Sequence, residues 1–274
     1  MNATSHVQPL YLRHTRPSSS FDAKVARTLD HLRLAADAHP GQIVQATSLG
    51  AEDVVLTDLI WRHGLAIDVA TLQTGRLHAQ TLALLEQLPA HYDALQPGAT
   101  HRIAAFEPET AALAAWTTQH GDDGDSAIRA SIDTRKSCCG VRKLEPLQRL
   151  LAGRSAWVVG LRAEQSTDRA SAHWREEDPG RDGVLRLKYS PLLDWTWGDV
   201  WHYIDQHGVP YNPLHDDFMP SIGCAPCTRA IAIGEDFRAG RWWWEDAAQK
   251  ECGLHVHDDA SAAPTVSALP DRRP

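Results

Sequence analysis

The sequence predicts an α/β protein built on a mostly parallel sheet with crossover helices. Three observations carry this reading. Short apolar runs alternate with segments of helical period between residues 21 and 161. Several of the short runs end in small or polar residues, as strands do where a ligand edge begins. Hydrophobic residues make up 43% of the 274 positions, enough for a sizeable buried core.

The elements follow in order. Phe21 to Ala38 has the period of a helix, Gln42 to Thr47 reads as a strand, and Ala51 to His63 as a helix. Ile67 to Gln73 is the next strand and Thr81 to Leu88 the next helix. A weaker strand is expected near His101 to Phe106, a helix near Glu109 to His120, a helix from about Val141 to Leu151, and a strand at Ala156 to Leu161. The stretch Ala163 to Gly183 is charged and aperiodic, which predicts a long surface loop. From Val184 onward the chain is denser in Trp and Pro, and with neither repeat nor linker it is expected to pack on the first half as one unit. Residues 1–20 and 258–274 are polar and rich in Pro, Ser or Ala, so both are expected to be mobile tails around one domain at 21–257.

The formal charge is −8, from 35 acidic and 27 basic residues, which disfavours nonspecific binding to nucleic acid or a membrane surface. Local arginines still permit an anionic small ligand. Met1 to Ser20 has no signal-type apolar run, and no stretch nears the roughly 18 apolar residues of a membrane span. A soluble, cytoplasmic protein is therefore expected.

The first strand runs into Ser48-Leu49-Gly50-Ala51-Glu52-Asp53 and then a helix, so its turn offers backbone amides and a positive dipole end to a phosphate or sulfate. By itself this turn is read equally well as a helix cap with a tight Gly turn, since it is neither a Walker A nor a G-x-G-x-x-G pattern. Two further strands end at Leu72-Gln73-Thr74-Gly75-Arg76 and Val159-Gly160-Leu161-Arg162. Together the three ends point to a nucleotide crevice along one sheet edge.

Five cysteines stand at 138, 139, 224, 227 and 252, and an odd number in a reducing compartment argues for metal or redox chemistry over disulfides. Cys138-Cys139 and Cys224-x-x-Cys227 provide four potential thiolate ligands. A tandem Cys pair fits structural zinc poorly, which tilts the reading toward an iron-sulfur cluster. Arg135, Lys136, Arg142 and Lys143 flank the first pair, and Arg229, Arg238 and Arg241 follow the second. Such cations offset a cluster's negative charge or receive an anion, although a solvated helix face accounts for some of them equally well. Cys252, in Lys250-Glu251-Cys252-Gly253-Leu254-His255, borders the polar tail, where a catalytic and an incidental thiol are equally consistent with location alone.

Over residues 40 to 257 these motifs resemble the assimilatory adenylyl-sulfate and phosphoadenylyl-sulfate reductases, in particular the iron-sulfur-bearing branch. The resemblance rests on the Ser48–Asp53 loop, Leu72 to Gly75, the CC and CxxC pairs, Gly160 to Arg162, Arg238 to Trp244 (RAGRWWW) and the highly specific Glu251 to His255 (ECGLH). It implies an ATP-pyrophosphatase (adenine nucleotide alpha hydrolase-like) fold with helices on both sheet faces. It also implies a 4Fe-4S cluster on Cys138, Cys139, Cys224 and Cys227. Cys252, in a catalytic segment at about 242–257, would attack the sulfate sulfur of adenosine 5'-phosphosulfate and form a Cys-S-sulfonate, which thioredoxin reduces to release sulfite. Lys143, Arg169, Arg238 and Arg241 match anion-binding positions, with Arg169 in a loop that carries an insertion-like segment. Ser48, Gly50, Glu52, Asp53, Thr74, Gly75, Gly160, Arg162 and His255 complete the implied substrate site, and a homo-oligomer is expected.

Three rival readings stand beside this one. The first is a reductase of the 3'-phosphorylated nucleotide, or of both substrates; the branch that takes the 3'-phosphorylated one typically lacks both cysteine pairs. A cluster-bearing tRNA-thiolating enzyme of the same fold would want a basic face and leaves ECGLH unexplained. A zinc-stabilised binding module would show zinc and no sulfite release.

Overall fold

The computed structural model describes residues 16–121, 125–166, 169 and 171–245. Its first helix, α1 (Phe21–Ala38), buries Phe21, Lys24, Thr28, Leu32 and Ala35, a stripe at the three- and four-residue spacing of one helical face. Lys24 is tolerated there because its ammonium meets the wholly buried Asp199 at 2.7 Å. Ser18, within the expected N-terminal tail, is tied to the same carboxylate through its backbone amide at 2.7 Å.

Strand β1 (Ile43–Thr47) leads into α2 (Ala51–Arg62), followed by β2 (Asp68–Leu72), α3 (Ala79–Leu95) and β3 (Ile103–Phe106). Helix α2 is buried from Ala51 to Trp61, packed between the sheet and a later helix, α8 (Trp197–His207). Its inner end is fixed to β1 by Gln45, which donates to the Asp53 carbonyl at 2.8 Å and accepts from the Thr57 hydroxyl at 2.9 Å. Farther along, the buried Asp58 accepts hydrogen bonds from Tyr92 of α3, from Tyr203 of α8 at 2.6 Å, and from Arg62. That anchor explains a departure from expectation: α3 continues past Pro89 to Leu95 instead of stopping at Leu88. Burial of Tyr92 against Asp58 offsets the backbone bond that proline removes.

After α4 (Thr110–His120) come α5 (Asp125–Ala130) and α6 (Ile132–Cys139). The single helix expected from about Val141 to Leu151 is instead a π-turn, Gly140–Leu144, running into α7 (Glu145–Leu151). A π-turn of this kind is a local distortion that recurs at functional sites. Strand β4 (Ala156–Val158) follows, then β5 (Arg175–Pro179) and β6 (Leu185–Tyr189).

The sheet order is β3-β2-β1-β4-β6-β5, parallel throughout except for β5, which runs antiparallel to β6. The expected loop from Ala163 to Gly183 therefore contains an edge strand. Its sequence hid the strand because an antiparallel edge needs backbone pairing more than apolar alternation. Its charges are matched sideways, Glu176 to Lys188 at 3.0 Å and Asp178 to the Trp157 indole at 2.8 Å. One sheet face packs Ile43, Val69, Val158 and Tyr189 against α1, α2, α3 and α8, and the other packs Val44, Ala70, Trp157 and Val159 against α7. Helices thus cover both faces. Among the described residues no helix is long and apolar enough to cross a membrane.

Candidate active site

Chain order reverses between β1 and β4: β2 and β3 lie to one side, β6 and β5 to the other. Such a switch point leaves a crevice at the carboxyl ends of the strands, because the connections leave toward opposite faces. Here the crevice is a cleft of about 210 Å³, and Ser48, Gly50, Glu52, Asp53, Thr74 and Gly160 all line it. The three strand ends singled out by sequence thus meet at one place.

Asp53 closes the floor. One carboxylate oxygen accepts from the Ser48 amide and hydroxyl, each at 2.6 Å, and the other from the Gly160 amide at 3.1 Å. Burial pushes its carboxyl up to about 6, although the Ser48 and Gly160 bonds favour the charged form. Gly160 has to be glycine, since a Cβ would stand 2.4 Å from the Asp53 carboxylate. The Ser48 amide that the turn offered to an anion is therefore taken by Asp53, as is the Gly160 amide at the end of β4, and the Leu49 amide goes to the Thr47 hydroxyl at 3.0 Å. Helix α2 starts after Gly50 with no side-chain cap, so the positive end of its dipole remains at the cleft.

Arg162 and Gly75 lie outside the lining. The Arg162 guanidinium is buried, donating to Glu52 and Glu164 at 2.8 Å each and lying over the rings of Trp197 and Phe237. It braces Glu52, which Gln165 also holds at 3.0 Å. Gly75, at φ +72°, permits a turn whose preceding carbonyl, that of Thr74, accepts from Arg142 at 2.8 Å.

Lys143, Arg169 and the pair Arg238 and Arg241 converge on the cleft from three separate segments. Arg169 donates to Gln165. Lys143, on the π-turn, borders both the cleft and a second cavity. Arg241 is mostly buried and lies over Trp242, 4.7 Å from its ring centre, with one guanidinium nitrogen donating to the Ile222 carbonyl at 3.3 Å.

Lining the second cavity are Cys138 and Cys139, at the end of α6, and Cys224 and Cys227, on either side of a tight turn. All four thiols are buried. The second pair is held to the segment after β2, because Ala225 donates to the Arg76 carbonyl at 2.8 Å and the Thr74 hydroxyl sits 3.2 Å from the Cys224 sulfur. Arg76, Arg135, Arg142 and Lys143 complete the walls. Burial pushes the Cys227 thiol up to about 11 and raises Cys138, with Cys224 contributing to both, while Lys143, Arg142 and Arg241 pull the other way. Among the described residues no group of three or more His, Cys, Asp or Glu side chains is disposed to hold a metal ion. The thiols instead face a shared cavity, with cations set around it. Cys252 and His255 lie outside the described residues.

Sequence reasoning did not pick out Trp242, Gln165 or His215 as wall residues of the cleft. His215 is a buried, neutral imidazole whose pKa burial lowers to about 4. Only Trp242 carried a signal, following Arg241 in a run of three tryptophans.

Residues 42–230 match the family model described as the phosphoadenosine phosphosulfate reductase domain. The chain belongs to this family. It is 47% identical over 259 residues to the adenosine 5'-phosphosulfate reductase of Allochromatium vinosum, covering 94% of this chain and 96% of that one. With the protein of the same name from Burkholderia cepacia the identity is 47% over 234 residues, 85% of this chain and 88% of the relative. A solved phosphoadenylyl-sulfate reductase from Candida auris, in a phosphate complex, shares the fold at a TM-score of 0.59 and 24% identity, covering 82% of this chain and 97% of that one. Yeast FAD synthetase shares it at a TM-score of 0.53 and 12% identity, over 80% of this chain and 71% of that one. The fold is of the ATP-pyrophosphatase type.

Proposed function

We propose that this protein reduces adenosine 5'-phosphosulfate to sulfite and AMP. One observation carries the reading: a cleft at the switch point gathers Lys143, Arg169, Arg238 and Arg241, and Lys143 and Trp242 form a common wall with a cavity of four buried thiols. Its relatives' names point to the same reaction.

A nucleotide whose sulfonate end is anionic needs cations near that end and a neutral cradle for the nucleoside. The four cations meet the first requirement, and the glycines and hydroxyls of the strand ends meet the second. Cations also offset the repulsion that a thiolate feels on approaching an anionic group. The thiolate of Cys252 attacks the sulfur, forming an S–S bond as the S–O bond to phosphate breaks, and AMP leaves with the oxygen and the electron pair. A dithiol protein of the thioredoxin class then attacks the Cys252 sulfur and expels sulfite. Its second thiol resolves the mixed disulfide, so two electrons pass from the dithiol to the former sulfate sulfur.

Cys138, Cys139, Cys224 and Cys227 fit a 4Fe-4S cluster in chemistry: four soft sulfur donors, buried, ringed by cations that would offset a cluster's negative charge. When bound, the cluster supplies electrostatics and rigidity beside the cleft. Lys143 faces both. A cytoplasmic location and a homo-oligomeric state belong to the same reading.

The test is a single turnover. Protein purified without oxygen and mixed with adenosine 5'-phosphosulfate, with no dithiol present, should release about one AMP per chain and add the mass of a sulfonate to the peptide containing Cys252. Reduced thioredoxin should then remove that mass as sulfite. The Cys252→Ser variant should bind nucleotide and do neither. An adduct on another residue, or turnover by the serine variant, defeats the mechanism.

A further inference from the structure

Trp242 is almost wholly buried and carries two guanidinium groups over its ring, Arg241 at 4.7 Å and Arg135 at 4.6 Å from the ring centre. These cations differ in circumstance. Arg135 is neutralised by a bidentate, buried pair with Glu245, at 2.9 and 2.7 Å. For Arg241, no carboxylate forms an ion pair among the described residues, so its charge is left for an anion in the cleft.

The backbone at Trp242 adds a second observation. Its φ is +41°, a region that a bulky L residue rarely adopts, and such strain persists only where the surroundings hold it. Its surroundings do so here: its amide donates to the Cys227 carbonyl at 3.3 Å, the neighbouring Thr228 and Arg241 pair as an antiparallel bridge, and the indole fills the wall between cleft and cysteine cavity. Gly223 closes the other side, since a Cβ there would stand 2.4 Å from the Arg241 guanidinium.

We propose that Trp242 is a positioning residue: its indole, carried on a backbone pinned to the CxxC loop, holds the Arg241 guanidinium toward the cleft and so sets its grip on the anionic end of the nucleotide. The electron-rich ring face attracts the guanidinium without neutralising it, which a carboxylate would do. A cation held this way is pre-oriented and still charged for the ligand. The inference rests on the reading that Arg241 binds the phosphosulfate.

The experiment is a double-mutant cycle in the Cys252→Ser background, where the nucleotide binds without turning over. Affinity for adenosine 5'-phosphosulfate is measured by calorimetry on anaerobically purified protein, with iron content and thermal melts as folding controls. Trp242→Leu should weaken binding by about tenfold, whereas Trp242→Phe, which keeps a π face, should lose much less. Combining Trp242→Leu with Arg241→Ala should bind no more weakly than Arg241→Ala alone, while combining it with Arg169→Ala should multiply the separate losses. A Phe variant as weak as Leu, or losses from Trp242→Leu and Arg241→Ala that multiply, would overturn the proposal. Should Arg241→Ala itself leave affinity unchanged, the anion-grip reading fails and this inference falls with it.

Discussion

The carboxylate of Asp53, in the first turn of α2, accepts a hydrogen bond from the backbone amide of Gly160 at 3.1 Å, joining the ends of β1 and β4 across the switch point. The clasp is paid for in desolvation. Burial raises the Asp53 carboxyl to about 6, so the folded chain holds a proton there that the unfolded chain, with an ordinary carboxylate pKa of about 4, has released.

The sign of its pH dependence follows. Between about pH 4 and 6 the folded state binds more protons than the unfolded one, so the contribution of Asp53 to stability falls as pH rises through that window. Asp53→Asn does not titrate. Denaturant midpoints at pH 4.5 and 7 should show the variant gaining on wild type at the higher pH, by at most about 3 kcal/mol. A difference independent of pH would contradict the raised carboxyl.

Gly223→Ala should displace the Arg241 guanidinium, because the new methyl would overlap the end of that side chain and not the backbone. Nucleotide affinity should fall by about tenfold, roughly the value of one charge-assisted contact. Thermal stability should change little, since a flexible side chain can give way. Unchanged affinity would mean that the guanidinium binds equally well from another position.

Cys139→Ser should remove the cluster, since a hard hydroxyl substitutes poorly for a soft thiolate. Wild-type protein purified without oxygen should be brown, with about four irons per chain and matching acid-labile sulfide. One zinc and no sulfide would defeat the cluster assignment.

Tyr203→Phe removes one of the donors to the buried Asp58. It should cost about 1–2 kcal/mol in chemical denaturation while leaving nucleotide affinity as it was, because Asp58 lies away from the cleft lining. A loss of affinity would show that the α2–α8 contact shapes the cleft as well as supporting it.

Much of the fold and the outline of the site could be read from residues alone. The apolar period of α1 and the apolar run of β1 set those elements directly, and the alternation of strands with helices implied a parallel sheet whose strand ends meet. Spacing marked the two cysteine pairs, which share one cavity, while Cys252, singled out by the motif ECGLH, lies outside the described residues. Elements whose causes are nonlocal were hidden: β5 exists because β6 lies beside it, and α3 passes Pro89 because Tyr92 reaches Asp58. The same holds within the site. Arg162 was expected among the substrate-binding residues and its guanidinium donates to Glu52 and Glu164, while the Ser48 amide, open to an anion in the sequence, donates to Asp53. Residue type and local order determined which groups could act; only packing, which brings partners together from distant parts of the chain, decided which of them were already occupied and which still faced the cleft.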